Sequence, residues 1–414
     1  MDCLSVPDNW TTLDRCDVLL VCHDNSRNIT LNNQAYSPHL DSLGDDLSSR
    51  GIVCGRIARP YSTVVGNKAY GSPVSLNRRW FRETAWGSIC HRFVKILWNR
   101  SNLDKVHNEK ASKVFIEILK KTKCRCVIGI SLPKSMYKAA RQLHIPAIEI
   151  LHGIGYQTIP WGWDKRGIEY LPNLVLSLDP VSTKTFSRLI DKGLCVKEIL
   201  HPFHKRFLIS TEQKKLPEEW KKSIQISNSF RKKVLISLQW GYDNDHPDFA
   251  GILRNGIISD KLLNVIKHTQ DSIFWLIRLH PRQLRNFRYR RHRTFIETFV
   301  RQVKNCEMYL SSTLPLPSLL INCDGHVTMD SMTSYDAAYY GVPTLLLCPS
   351  LQNGGVGELL FHDLLELGMA ELGGFDEKNI RLWVEKAKSV KPLMQVSDNS
   401  NWDEVVELLL GEKT

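Results

Sequence analysis

The stretch His326 to Pro343, HVTMDSMTSYDAAYYGVP, decides how the rest of the chain is read. It opens on a β-prone run, His326 to Met329, and passes at once into Asp330, Ser331, Thr333 and Ser334. Such side chains accept hydrogen bonds from free backbone N–H groups, so they start helices. Ala337 and Ala338 permit close packing, and Gly341 followed by Pro343 stops the helix. Thr344 to Cys348 is a fresh apolar run that predicts the next buried strand. The unit is therefore strand, hydroxyl-rich turn, short helix, strand. A helix that begins at the carboxyl end of a strand offers unpaired N–H groups and partial positive charge, which suits a phosphate. An ordinary capped helix in a parallel sheet has the same pattern.

Working outward, the alternation repeats in both directions. Upstream, Val234 to Leu238 and Ile273 to Leu279 predict strands, with helices over 259–269 and 295–304; a helix over 358–367 follows the opening stretch. In the first half, strands are predicted at Val18 to Cys22, Ile52 to Cys54, Cys126 to Ile130, Ala147 to Leu151, Leu174 to Leu178 and Val196 to Leu200. Helical spacing of Leu40, Leu43 and Leu47, and further helices over 78–100, 111–121, 134–143 and 183–192, separate them. Alternation of this length predicts an α/β protein with two doubly wound, Rossmann-like parallel sheets. Between 211 and 232 the composition turns highly charged, which predicts a linker. The expected division is 1–210, the linker, a second domain at 233–395 and a terminal amphipathic helix within 396–414.

With 414 residues, 43% hydrophobic and 24% charged, the chain has the composition of a globular protein with sizeable cores. No apolar run is long enough to span a bilayer, and the start, MDCLSVP, has neither the basic nor the apolar segment of an export signal. A cytoplasmic location is expected. The 11 cysteines show no paired zinc-ligand spacing, and buried reduced thiols are expected. A net charge of +12 leaves nucleic acid, an anionic bilayer surface and phosphorylated substrates open as partners.

Ligands of open parallel sheets lie outside the carboxyl ends of the strands. That rule selects His23, Asp24, His152 and Gly153 in the first half. In the second it selects Gln239 to Asp245, the run Arg278-Leu-His280-Pro281-Arg282, and the opening stretch with His326. Arg278 and His280 alternate along the strand end, so both are expected on one side, where guanidinium and imidazole can grip a phosphate. Ser331, Thr333 and Ser334 would add hydroxyls. The run Gly354-Gly-Val-Gly357 lacks the lysine and spacing of a phosphate loop and reads as a connector. Arg282, Arg285, Arg288, Arg290, Arg291 and Arg293, interrupted by Phe287 and Tyr289, read as a solvated face or as a docking surface for anionic lipid. The aromatic and basic segment from Trp80 to Arg100 is a second such candidate. No recognition-helix or aromatic-platform motif supports nucleic acid.

Taken together, Arg278-Leu-His280-Pro281, the motif from His326 to Ser334, and Ala337-Ala-Tyr-Tyr-Gly341-Val-Pro343 resemble the GT-B glycosyltransferases of bacterial capsule and lipopolysaccharide synthesis. The likeness is to the groups containing Kdo transferases, polysialyltransferases and capsule transferases. It covers the second half well and the first half only by topology, and Met332 stands where relatives often have a second serine. The resemblance implies two Rossmann-like domains facing across a cleft, and a nucleotide-sugar donor bound by the second domain. It implies nucleotide-phosphate contacts for Arg278, His280, His326, Ser331, Thr333 and Ser334. It further implies a catalytic Asp243 or Asp245, between which the sequence does not choose, and an acceptor side with His23, Asp24, His152 and Gly153. The acceptor would be a growing glycan or a lipid-linked glycan at the inner membrane face. No metal and no cofactor beyond the donor are expected, although Asp243-Asn-Asp245 formally spells the metal-binding pair of a different transferase fold. A nucleotide-sugar epimerase on the same fold, and a non-catalytic basic membrane- or nucleic-acid-binding protein, are the alternatives.

Overall fold

The computed structural model describes residues 2–84, 100–225, 230–239, 252–285, 287–393 and 401–410. The chain divides into two compact units, one formed by Met1–Lys205 with Ser397–Thr414 and the other by Arg206–Val396.

In the first unit the strands are β1 (Val18–Cys22), the hairpin β2 (Ile29–Leu31) and β3 (Gln34–Tyr36), β4 (Cys54–Ala58), β5 (Cys126–Gly129), β6 (Ala147–Ile150), β7 (Leu174–Ser177) and β8 (Cys195–Glu198). Six of them form one parallel sheet in the order β4-β1-β5-β6-β7-β8. The residues of β1, β5 and β6 are buried without exception, as expected for strands covered on both faces. One core joins Leu19 and Val21 of β1 to Phe115 and Ile118 of the helix Arg100–Thr122 and to Met136 and Ala139 of the helix Lys134–Gln142. The helix Leu40–Ser49 lies against β1, and Arg27 is bonded to the buried Asp41 of that helix at 2.5 Å. The terminal helix Asn401–Leu410 belongs to this unit: Trp402 Nε1 donates to Asp46 at 2.7 Å, and Arg50 pairs with Asp403 at 2.6 Å.

The second unit contains β9 (Lys232–Ser237), the small hairpin β10 (Leu253–Arg254) and β11 (Ile258–Ser259), β12 (Ile273–Arg278), β13 (Cys306–Glu307), β14 (Gly325–Thr328), β15 (Thr344–Leu346) and β16 (Ala370–Leu372). Its parallel sheet runs β13-β12-β9-β14-β15-β16. The edge strands β13 and β16, only two and three residues long, carry too little pattern to be read from sequence. The opening stretch folds as expected into β14, the helix Thr333–Tyr339 and β15. Gly341 ends that helix at φ 73°, and a side chain there would meet the Val390 carbonyl at 2.4 Å.

The segment expected as a linker carries two helices, Ser210–Gln213 and Glu218–Gln225. Its charges cover the outer surface while Trp220 is buried against Phe207, ring centroids 6.3 Å apart. Trp220 and the buried Leu216 supply the apolar anchor that an otherwise charged composition conceals. Among the described residues no helix is long and apolar enough to cross a membrane.

Candidate functional site

In the second unit β9 connects first toward β12 and β13, and the chain then returns to β14 on the other side. The carboxyl ends of β9 and β14 therefore diverge at a switch point, the place where open α/β sheets hold ligands. Gln239 follows β9 and Asp330 follows β14. A pocket beneath them is lined by Ser237, Leu238, Gln239, Thr328 and Met329, and by Leu253 and Ile257 of the hairpin region.

Polar groups at this crevice are linked in series. The fully buried Gln283 accepts from the His280 backbone N–H at 2.8 Å and donates to the Gln239 carbonyl at 2.9 Å. Gln239 in turn accepts from the Asp330 N–H through its side-chain oxygen at 3.3 Å. One amide thus ties the turn after β12 to the end of β9, and a second ties β9 to the end of β14. Gln283 had no signal in the sequence: it sits inside a basic run, and its partner lies 44 residues away.

The residues singled out from sequence divide by what they already bind. His280 is half-buried at the turn between β12 and the helix Pro281–Arg285. Arg278 donates through Nη1 to the carbonyls of Ser311 and Leu314 at 2.6 and 2.9 Å, closing the end of the helix Tyr309–Thr313. Burial lowers its pKa to about 10, and the Asp336 carboxylate opposes the shift. That amino group supports a neighbouring turn, a different employment from the phosphate grip expected. His326 is fully buried inside the sheet, Nδ1 paired with Thr344 Oγ1 at 3.0 Å and Nε2 with Ser237 Oγ at 2.9 Å. Burial lowers its pKa to about 3, so the ring is neutral and both nitrogens are used in joining β9, β14 and β15. The expectation of a phosphate contact does not fit it. Ser331 Oγ donates to Thr333 Oγ1 at 3.0 Å and accepts from the Thr333 N–H at 3.2 Å, so the two hydroxyls are bonded to each other at the helix start. Ser334 is turned inward and fully buried. Asp330 accepts from the Cys348 thiol at 3.7 Å. Asp243 and Asp245, the catalytic candidates, lie outside the described residues.

In the first unit the order reverses between β1 and β5. His23 follows β1 and accepts from the Asn25 N–H at 3.2 Å, and burial lowers its pKa while Asp24 opposes the shift. Asp24 accepts from the Thr63 N–H at 2.6 Å, the Thr63 hydroxyl at 3.0 Å and the Val64 N–H at 3.2 Å, so it anchors the loop after β4. Buried Glu149 on β6 accepts from the Ser131 and Leu132 N–H groups and from Tyr137 Oη at 2.6 Å, holding the loop after β5. Burial raises its pKa to about 7, against the pull of those donors and of Arg59. Beyond β6, His152 is hydrogen-bonded to Tyr156 Oη at 3.2 Å and stands 5.8 Å from the Trp161 ring. Gly153 leaves open space beside it: a side-chain carbon there would come no closer than 3.8 Å to Tyr156 Oη. Trp161 is 41% exposed and adopts φ 58°, a left-handed backbone rare for so bulky a residue. A Gly162 neighbour and a Trp-rich loop were its only traces in sequence. Among the described residues no group of three histidines, cysteines or carboxylates is arranged to hold a metal ion.

No family model matches the chain, and no curated protein sequence matches it. Solved structures do resemble it. The UDP-GlcNAc 2-epimerase of Methanocaldococcus jannaschii is 12% identical, with a TM-score of 0.54 over 95% of this chain and 99% of that one. The UDP-GlcNAc 2-epimerase of Neisseria meningitidis, solved with UDP-GlcNAc bound, is 14% identical, with a TM-score of 0.52 over 95% and 99% of the two chains. At such identities the likeness is one of fold: two Rossmann-like units of the GT-B type.

Proposed function

We propose, on the premise of a GT-B fold, that this chain is a glycosyltransferase that moves a sugar from a nucleotide-activated donor to a growing surface polysaccharide or lipid-linked glycan. One observation carries the donor half of this reading: the crevice between β9 and β14, walled by the Gln283–Gln239–Asp330 series and flanked by the His280 turn. Strand-end crevices of this topology receive nucleotides. Half-buried His280, its backbone N–H bonded to Gln283, would meet the departing phosphate, with Arg278 positioning the adjacent turn. Asp243 or Asp245 would supply the base or nucleophile. The acceptor half is supported by exposed Trp161 beside His152, since an aromatic face packs well on the C–H face of a pyranose.

A nucleotide-sugar 2-epimerase is the second reading, favoured by the solved structures that share the fold. It needs no acceptor. Thermal-shift measurements with CMP, CDP, UDP, GDP and dTDP test the site: one nucleotide is expected to raise the melting temperature by several degrees, and no response at millimolar concentration overturns it. Incubation with the matching nucleotide-sugar alone, followed by NMR, separates the readings. An intact donor that is consumed only with added glycan supports transfer, whereas an isomerised sugar supports epimerisation.

A further inference from the structure

The helix Arg290–Gln302 of the second unit buries Ile296 and Phe299 and contains four arginines against one glutamate. Arg293 turns inward, donating to the carbonyls of Gln283 and Leu284. Arg290, Arg291, Thr294, Thr298 and Arg301 are exposed on the outer side. Glu297 lies four residues from both Arg293 and Arg301, yet among the described residues neither Arg290, Arg291 nor Arg301 is in an ion pair. At the amino end of this face stands Phe287, 75% exposed, with the Arg290 guanidinium 5.8 Å from its ring centroid. A merely solvated helix face has no reason to present so exposed a phenyl ring among cations that make no ion pair.

We infer that this ridge docks the chain on an anionic bilayer surface, Phe287 entering the headgroup region while Arg290, Arg291 and Arg301 meet lipid phosphates. Charge complementarity selects the partner, and the aromatic ring selects an interface that is apolar on one side. Single-stranded nucleic acid fits less well, because it needs a groove and free ring faces for stacking. Here the neighbouring rings are already covered: Arg254 lies over Phe295 and Lys267 over Phe299, each at 5.9 Å. The inference stands on this surface and does not depend on the nucleotide site.

Co-sedimentation of the full chain with phosphatidylcholine vesicles, with and without phosphatidylglycerol, tests it. Binding is expected only with phosphatidylglycerol and should weaken as salt rises. Each arginine near such a surface is worth about fivefold in partitioning, so the double change Arg290→Gln with Arg291→Gln should lower binding about 25-fold. Phe287→Ala should lower it about fivefold with the salt dependence unchanged. Both variants alter exposed side chains, so their melting temperatures and nucleotide-induced shifts should match the parent, which keeps this test separate from that of the catalytic reading. Absence of binding to the anionic vesicles, or binding unaffected by either variant, overturns the inference. So does a single-stranded RNA oligomer that competes fully with the vesicles through the same arginines.

Discussion

The two parallel sheets hold the loops at their points of reversal with different chemistry. In the first unit a buried carboxylate, Glu149, gathers two backbone N–H groups and the Tyr137 hydroxyl. In the second a buried amide, Gln283, bridges one N–H and one carbonyl. An amide both donates and accepts, so it can join two strand ends without charge, whereas a carboxylate only accepts and gathers donors. The first device is therefore sensitive to pH and the second is not. A neutral tether also adds no negative charge of its own to the crevice of the second unit.

Breaking the neutral tether should have the largest effect. Gln283→Leu removes the hydrogen bonds to the His280 N–H and the Gln239 carbonyl, at a cost of about 3 kcal/mol at roughly 1.5 per bond lost. Urea unfolding should report this loss, and the nucleotide-induced thermal shift should disappear with it. The carboxylate of the first unit can be tested by pH alone. Its folded pKa of about 7 lies above the ordinary 4.5, so the folded state holds the proton more tightly. Its stabilising contribution is full below pH 4.5 and is lost as pH rises through 7, a change on the order of 3 kcal/mol. Glu149→Gln should flatten that decline in denaturation curves taken across the range.

His326 should show the opposite sign. Its folded pKa of about 3 lies below the ordinary 6.5, so the unfolded chain takes up the proton first. Stability present above pH 6.5 is lost as pH falls toward 3. His326→Leu should cost about 2 kcal/mol at neutral pH, because Ser237 and Thr344 lose their partner, and should make the acid-side decline shallower. Arg278→Lys should cost about 1.5 kcal/mol through the weakened hold on Ser311 and Leu314. If the nucleotide shift survives it, Arg278 is a positioning residue; loss of the shift at unchanged fold restores the phosphate contact. The smallest effect is expected for Asp24→Ala, about 1 kcal/mol, seen as faster proteolysis of the loop around Thr63 with nucleotide response intact.

Much of the architecture was legible because long apolar runs such as Val18 to Cys22 and Ile273 to Arg278 have one explanation, a strand buried on both faces. The stop at Gly341 was legible because its left-handed backbone belongs to glycine. Over residues 211–232 the charged composition concealed the buried Leu216 and Trp220, which anchor a short amphipathic helix. The site was read as a neighbourhood and not as a set of contacts. His280 and Asp330 do sit at the expected strand ends, but His326 and Ser334 turn inward. Alternation along a strand tells which residues share a face without telling which face carries the ligand.

By itself, then, the order of apolar and polar residues determined two α/β units and the carboxyl ends where polar groups collect, because periodicity is local and follows from backbone geometry. Only the tertiary structure decided which of those groups remain available. His326 finds its partner Ser237 at a distance of 89 residues, and Gln283 finds Gln239 at 44, both through neighbouring strands of one sheet. Hydrogen-bond commitments of buried polar groups depend on partners that folding brings together, so the strand pairing had to exist before the free side chains could be told from the occupied ones.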